Sequence, residues 1–288
     1  MTAVFRREIE AMFKSVTGYL FSAFLLLFVG IYTMAYNLSG YTANFAYAVS
    51  AVSFVYLLAV PFLTMRSLAE EKRQKTDQLL YSLPISMTDV VMGKYLALLV
   101  TLLVPVAVTA LYPLLLSRFG TVPMAVSYGT LFAFFMLGAC LTSIGLFISA
   151  VTENQVVSAV VTLAVMLVLY FMSGLSSYVS TAAASSLFAL CVLMIGAAAL
   201  LWALTKNVPV ALTAGVVGLG GIYLWYRTNE AAFEGLFKNV MEKLSVFERF
   251  YTFSGGVFDL TAIVYYLSIT AVFLFMTVQA MEKRRWNA

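Results

Sequence analysis

The chain has 288 residues, of which 62% are hydrophobic and 10% charged, with a formal net charge of +4. Soluble domains carry roughly 25% charged residues, so this composition excludes a water-soluble globular protein and indicates that lipid surrounds most of the surface. Histidine is absent, which removes the commonest general base and metal ligand. Both cysteines, Cys140 and Cys191, lie in apolar runs and are expected to be small hydrophobes, not a disulfide.

The first predicted element is an amphipathic helix over residues 1–16. Arg6, Glu10 and Lys14 step by four along one face, and apolar residues recur at helical spacing along the other. This pattern predicts a helix in the cytoplasmic interface, and a flank that only sets membrane orientation is the alternative. The next apolar run is too long for a secretory signal and has no clear small-x-small cleavage site, so it is expected to stay as an anchor.

Charge-free stretches predict the membrane spans, since a span needs about 20 apolar residues. The third span, for example, is the 23-residue uncharged interval between Lys94 and Arg118. The fourth follows the turn at Gly120–Pro123 and ends near Ala150. The other six predicted spans lie near 17–36, 45–65, 156–174, 183–204, 207–226 and 259–280. The fold class is therefore all-α, a polytopic transmembrane bundle of about eight hydrophobic segments, or six spans if 183–226 is re-entrant.

Lysine and arginine placement predicts the orientation. With the N-terminus inside, twelve of these residues lie on the cytoplasmic side and five outside. Both termini are therefore predicted to be cytoplasmic, in a multi-pass protein of the cell (plasma or inner) membrane. The five predicted to lie outside are Arg118, Arg227, Lys238, Lys243 and Arg249.

Segment 66–94 is the longest predicted cytoplasmic stretch. We expect two short helices joined at Pro84, because the residue before a proline avoids the helical region. Glu71 and Lys75 are predicted to pair at four residues, and Ser86–Asp89 reads as a capping box for the second helix. Leucines at 79, 80 and 83 form an apolar cluster. A solvated loop would not need such a cluster.

A third segment outside the spans is 228–256. Seven apolar residues from Phe233 to Phe247 form a stripe, and Glu230, Glu234, Lys238 and Glu242 step by four on the opposite face. An amphipathic helix on the outer leaflet is predicted. An ordinary linking helix packed on the bundle is the alternative.

Several kinds of chemistry are missing from the sequence. No G-x-x-x-x-G-K-[ST] phosphate loop is present, and the glycine-rich run Gly215–Gly221 lies inside a predicted span, where small residues favour close helix packing. No charged residue lies in a predicted span core, which argues against an ion-coupled transporter and an intramembrane enzyme. Transport by this chain would then need energy from a partner.

Segment 66–94 resembles the stretch between the second and third spans of type-2 ABC exporter permeases. The likeness rests on Leu68–Arg73, Thr76–Ser86 and Gly93–Lys94. That family often has glycine where Lys75 stands, a departure expected to stiffen the turn. Thr152–Gln155 and the C-terminal stretch 253–286 are similar to the gliding-motility branch. The likeness covers about 1–170 and 245–287, so the pair of segments between them departs from the six-span core.

The resemblance implies a single permease domain over 1–288 that binds no cofactor itself, since ATP and magnesium would be held by partner ATPases. The implied partners are two ABC ATPase subunits, a second permease, membrane lipid and, as a further candidate, an extracellular accessory subunit, with no nucleic acid. Segment 66–94 would be the coupling element seated on the ATPase. The residues assigned to ATPase coupling are Glu70, Glu71, Lys72, Thr76, Leu79, Leu80, Leu83 and Pro84.

Two functions remain open on this basis. The first is the permease subunit of an ATP-driven exporter, which forms the translocation path. The second is a non-transporting scaffold or signalling subunit that an ABC ATPase drives and whose external helix contacts a partner. A permease is expected to offer a polar-lined path along its spans, for which the candidate residues are Thr101, Thr109, Tyr112, Ser143, Thr162 and Tyr170.

Overall fold

The structure is a computed structural model that describes residues 1–76, 85–205 and 207–287, and its regular elements in those ranges are helices. The first half contains α1 (Thr2–Lys14), α2 (Val16–Thr33), α3 (Phe45–Val52), α4 (Tyr56–Thr64), α5 (Ala69–Arg73), α6 (Met87–Thr109), α7 (Leu111–Leu116) and α8 (Met124–Val151). The second half contains α9 (Gln155–Ser176), α10 (Ala183–Thr205), α11 (Val208–Thr228), α12 (Leu236–Leu244), α13 (Val246–Ser254) and α14 (Leu260–Asn287).

All eight predicted hydrophobic segments fall on helices, which confirms the all-α, polytopic fold class. Within the described ranges, seven helical stretches are long and apolar enough to cross a membrane, and residues Ala183–Ala199 of α10 form a shorter apolar stretch. The seven stretches are Val16–Ser39, Phe45–Arg73, Met87–Leu116, Met124–Val151, Gln155–Met172, Val208–Thr228 and Leu260–Arg285. The cytoplasmic position of both termini stays a prediction.

The chain divides into two compact units, of which the larger comprises Met1–Tyr170 and Val246–Ala288. Helix α8 is the centre of this unit and contacts α3, α4, α6, α13 and α14. The close approach of α4 to α8 depends on Gly138 of α8, where an added Cβ would lie 2.8 Å from the hydroxyl of Tyr56 in α4. That hydroxyl donates to the carbonyl oxygen of Phe134 over 3.0 Å, so the fully buried tyrosine keeps a hydrogen bond.

The second unit is Phe171–Ser245, in which α10 packs against α11. A Cβ placed on Gly215 would lie 3.2 Å from that of Ala198, and one on Gly218 would lie 2.6 Å from the sulfur of Met194. These two glycines therefore allow the helices to approach closely, as the small-residue interpretation of the run predicts. Gly220 and Gly221 face open space.

Segment 228–256 does not form the one amphipathic helix expected from its apolar stripe. A 3-10 turn, Glu230–Phe233, is followed by α12 in the second unit and by α13 in the larger one. Gly235 adopts φ +67° and Ser245 has an extended ψ of 109°, so the helix is interrupted at both residues. In α13, Phe247, Phe250 and Phe253 are buried in the core, as the alternative of a helix packed on the bundle predicts.

Candidate functional site

Helix α1 lies against the N-terminal part of α6, and Gly93 permits the contact. A Cβ at position 93 would lie 3.1 Å from the Cβ of Val4 and 3.2 Å from the backbone nitrogen of Phe5. Val4 is the buried residue of α1. The absence of a side chain at position 93 therefore lets the backbones of α1 and α6 approach each other.

Lys94, the next residue, is the centre of a buried ion network. Its ammonium is 1% exposed and lies 3.0 Å from Glu8 Oε1, 2.9 Å from Glu71 Oε1 and 2.9 Å from the carbonyl oxygen of Ser67. Arg7 Nη2 lies 2.7 Å from the same Glu8 oxygen and 2.6 Å from the same Glu71 oxygen. We call Arg7, Glu8, Glu71 and Lys94 the Lys94 network. It joins α1, α5 and α6, and its two cations balance its two carboxylates.

The electrostatics of the network keep Glu8 ionised. Burial by itself raises the pKa of Glu8, but the Lys94 ammonium and the hydrogen bond from Arg7 outweigh it, so the pKa lies below its ordinary value. Burial lowers the pKa of Arg7, and the Glu8 and Glu71 carboxylates more than offset this and raise it. A buried pair adds little net stability compared with apolar packing, but it strongly penalises any arrangement in which one charge loses its partner. The network therefore favours one register of α1 on α5 and α6.

The start of α5 is held by a serine of α8. The Ser149 hydroxyl oxygen accepts hydrogen bonds from the backbone N–H groups of Leu68 and Ala69 over 3.1 and 3.0 Å. Free N–H groups in the first turn of a helix need such acceptors. Helix α5 is therefore fixed to the central helix of the bundle as well as to α1 and α6.

The C-terminal helix reaches the same side of the bundle. Arg284 Nη1 in α14 lies 2.6 Å from Glu153 Oε1, in the turn between α8 and α9. The hydrogen bond from Arg284 lowers the pKa of Glu153. Two stretches that carried the family resemblance, around Glu153 and around Arg284, thus meet in the fold.

Half of the residues assigned to ATPase coupling lie in the described part of the chain. Glu70 pairs with Arg66 over 2.8 Å, Glu71 belongs to the Lys94 network, Lys72 is buried, and the Thr76 hydroxyl donates to the carbonyl oxygen of Glu71 over 3.3 Å. Leu79, Leu80, Leu83 and Pro84 lie outside the described residues.

The predicted Glu71–Lys75 pair is wrong. Helix α5 ends at Arg73, and Lys75 adopts φ +57°, so the helical spacing that would align the two side chains is not continued. Glu71 instead pairs with Arg7 and Lys94. The predicted cap of α6 is present, since Ser86 Oγ accepts from the backbone N–H of Asp89 over 3.1 Å.

Replacing Lys75 by glycine is expected to stabilise the turn after α5. A left-handed conformation costs a residue with a Cβ about 1 kcal/mol, and glycine avoids that cost. We expect roughly fivefold slower hydrogen exchange at the amides of residues 74–76, which bond back to α5. Lys75→Ala removes the same charge but keeps the Cβ, so it is the matched control. Equal slowing in both variants would contradict the conformational explanation.

Sequence reasoning missed Arg7, Glu8, Lys94 and Ser149 as parts of this site. It gives the Gly93–Lys94 pair a place in the family pattern but no role for either residue. In the structure, Gly93 leaves room for the backbone of α1, and Lys94 forms an ion pair with Glu8 of α1. Glycine followed by lysine near the start of a span is the one local signal that could have suggested the contact.

The hydroxyls proposed for a polar path are mostly turned back onto their own helices. Thr101, Thr109 and Thr162 donate to carbonyl oxygens four residues earlier, and Ser143 donates to the carbonyl three residues earlier. Tyr112 stacks on Phe45, and Tyr170 packs edge-to-face on Phe247. Four of the six hydroxyls are therefore bonded within their own helices. Within the described ranges, no group of three or more potential metal ligands comes together.

Among known protein families, the sequence pattern of the one described as "ABC-2 family transporter protein" matches residues 2–275 of the chain. No curated protein and no solved structure matches it.

Proposed function

Because the chain belongs to the ABC-2 family of transporter proteins, we propose that it forms the translocation path of an ATP-driven exporter with a second permease. Chains of this kind are membrane permease subunits without an ATPase domain, and they act with ABC ATPase subunits. The proposal adds that two such ATPases bind the chain, that segment 66–94 is the contact, and that both termini are cytoplasmic.

The rigid attachment of α5 to the bundle carries the proposal. Movement of an ATPase reaches the spans only if its contact segment cannot shift independently of them. The Lys94 network ties Glu71 to α1 and α6, and Ser149 ties the start of α5 to α8. A force transmitted to α5 would therefore act on α1, α6 and α8 together, as coupling requires.

The direction in which three of the hydroxyl groups point does not supply the polar-lined path expected within one permease chain. Thr101, Thr109 and Thr162 satisfy their hydrogen bonds within their own helices, so they offer little to a hydrophilic cargo. A path bounded by two chains does not need a polar channel inside either one. The second permease can be a copy of this chain or a related one.

The test is a pair of charge insertions in the proposed contact. Leu80→Asp and Leu83→Asp are expected to reduce ATPase activity co-purified with the tagged chain at least tenfold, because a carboxylate would be buried without a partner at the contact. Membrane insertion should be unchanged, since positions 80 and 83 fall between the candidate spans Phe45–Arg73 and Met87–Leu116. Leu80→Met, which keeps the size and the apolar character, is the control.

Unchanged ATPase retention in both aspartate variants would contradict the role of segment 66–94. The scaffold alternative has its own readout. If wild-type chain binds and stimulates the ATPase, yet ATP-supplied inside-out vesicles accumulate nothing more than vesicles bearing a hydrolysis-deficient ATPase, the chain does not transport. Comparative mass spectrometry of the vesicle contents measures this accumulation whatever the chemical class of the cargo.

A further inference from the structure

An apolar groove runs along the seam between α2 and α4, in the larger unit. Its volume is about 290 Å³, and its lining is almost wholly apolar. Both helices belong to candidate membrane spans, so hydrocarbon surrounds the groove. The lining residues are Leu20, Phe21, Phe24, Leu58, Ala59 and Phe62.

The groove leads toward a polar pocket of about 150 Å³ at the end of the seam next to α1. Thr17, which lines the pocket, lies about one turn before Leu20 and Phe21 in α2, and Leu63, which also lines it, follows Phe62 in α4. Arg66 lies in the turn after α4, where its Nη1 is 3.4 Å from the Thr17 hydroxyl. Residues of α1, including Ala11 and Met12, cover the pocket. An elongated molecule with an apolar tail and a polar head fits this succession of surfaces.

A buried polar atom in this pocket has no partner in the described part of the chain. Ser67 lines the pocket and is 6% exposed, and its hydroxyl oxygen has no hydrogen-bond partner there. Buried polar atoms are nearly always satisfied, so this hydroxyl points to a bound molecule with polar atoms. It is independent of the apolar groove as an indication of a ligand.

The charges beside Ser67 select the head group. Arg66 is half-exposed and pairs with Glu70 over 2.8 Å, while its Nη1 lies 3.4 Å from the Thr17 hydroxyl. The other carboxylate of the pocket, Glu8, is already bound by Lys94 and Arg7. The pocket thus offers one guanidinium and one carboxylate side by side, which is the complement of a phosphate joined to an ammonium. A net negative head group would face Glu70 without compensation.

We propose that this site binds a zwitterionic aminophospholipid, phosphatidylethanolamine, from the adjacent leaflet. One acyl chain occupies the groove between α2 and α4. The phosphate accepts hydrogen bonds from Arg66 and Ser67, and the ammonium donates to Glu70. The bound lipid contacts α1, α2 and α4 together and so supports the position of α1 beside the Lys94 network.

Native mass spectrometry of the purified full-length chain tests the site, with phosphatidylethanolamine, phosphatidylcholine and phosphatidylglycerol of identical acyl chains. We expect at least fivefold higher occupancy by phosphatidylethanolamine. The choline head group has no N–H to donate to Glu70, and the glycerol head group has no cation. Leu58→Trp, which fills the groove at a 53% exposed position, should lower that occupancy at least fivefold.

Leu27→Trp is the matched control, because Leu27 is a similarly exposed leucine of α2 outside the groove, at 59%. Equal occupancy by the three lipids would overturn the head-group assignment, and equal lipid binding by both tryptophan variants would overturn the site. A wild-type chain that retains no lipid because a second copy covers the groove would also overturn it. The readout does not depend on ATPase activity, so it is separate from the proposed transport function.

Discussion

Replacing Lys94 by methionine is expected to destabilise the chain more than any other single charge removal we consider. The substitution keeps an unbranched side chain but leaves Glu8 and Glu71 with Arg7 as their remaining cation. Removing one partner of a buried ion pair costs about 3–5 kcal/mol, which corresponds to a fall in melting temperature on the order of 10 °C. Thermal unfolding in detergent, followed by intrinsic fluorescence, measures the change.

Two further variants separate the charge effect from a general loss of packing. Lys14→Met removes an ammonium that is 78% exposed and pairs with Glu10, so little change is expected. Lys94→Met combined with Glu71→Gln restores the charge balance, because Arg7 and Glu8 remain as a pair. We expect this double variant to recover much of the lost stability. If it melts as low as Lys94→Met alone, lost packing rather than unpaired charge explains the effect.

Lys94→Met is also expected to uncouple the chain from its ATPase if segment 66–94 is the contact. The measurement is ATPase stimulation by the wild-type chain and by Lys94→Met, at a temperature at which both remain folded. Because Lys94 acts through its ion pairs with Glu8 of α1 and Glu71 of α5, it is a positioning residue. Normal stimulation by a folded Lys94→Met chain would show that the network stabilises α1 without serving coupling.

Replacing Gly145 by alanine is expected to disturb the crossing of α4 and α8. The new Cβ would lie 3.0 Å from both the Cβ and Cγ2 of Thr64, with Oγ1 of the same residue closer still. Thr64 is fully buried, and a β-branched side chain has little rotamer freedom in a helix. Overpacking of this kind costs roughly 1–3 kcal/mol. We expect a lower melting temperature and, because Thr64 lies three residues before Ser67, weaker docking of α5.

Gly129→Ala is the control for this substitution. Gly129 belongs to the same helix, but an added Cβ there would meet no heavy atom within 4 Å. Alanine is the better helix former by about 1 kcal/mol, so no loss of stability is expected. Thr64→Ala combined with Gly145→Ala removes two of the three clashing atoms and should recover part of the loss. Equal melting of the two single alanine variants would contradict the packing explanation.

Local sequence signals predicted many of the individual elements correctly. The cap at Ser86, the helix over Thr2–Lys14 and the close packing through Gly215 and Gly218 each depend on residues near one another or on composition. The expected single helix over 228–256 was wrong because periodicity reports which side of a helix is apolar. It does not report that Gly235 and Ser245 interrupt the helix or that Phe250 is buried in the bundle.

The sequence by itself determined that this chain is an all-helical, polytopic membrane protein, because a membrane requires long uncharged runs that are visible residue by residue. Its assignment of segment 66–94 to a cytoplasmic coupling element stays a prediction. Only the tertiary structure decided what holds that segment. Glu71 meets Arg7 across 64 residues of chain, and Lys94 meets Glu8 across 86. Such pairs depend on how helices cross. The sequence does not show which lysines are buried, because burial depends on the packing around each one.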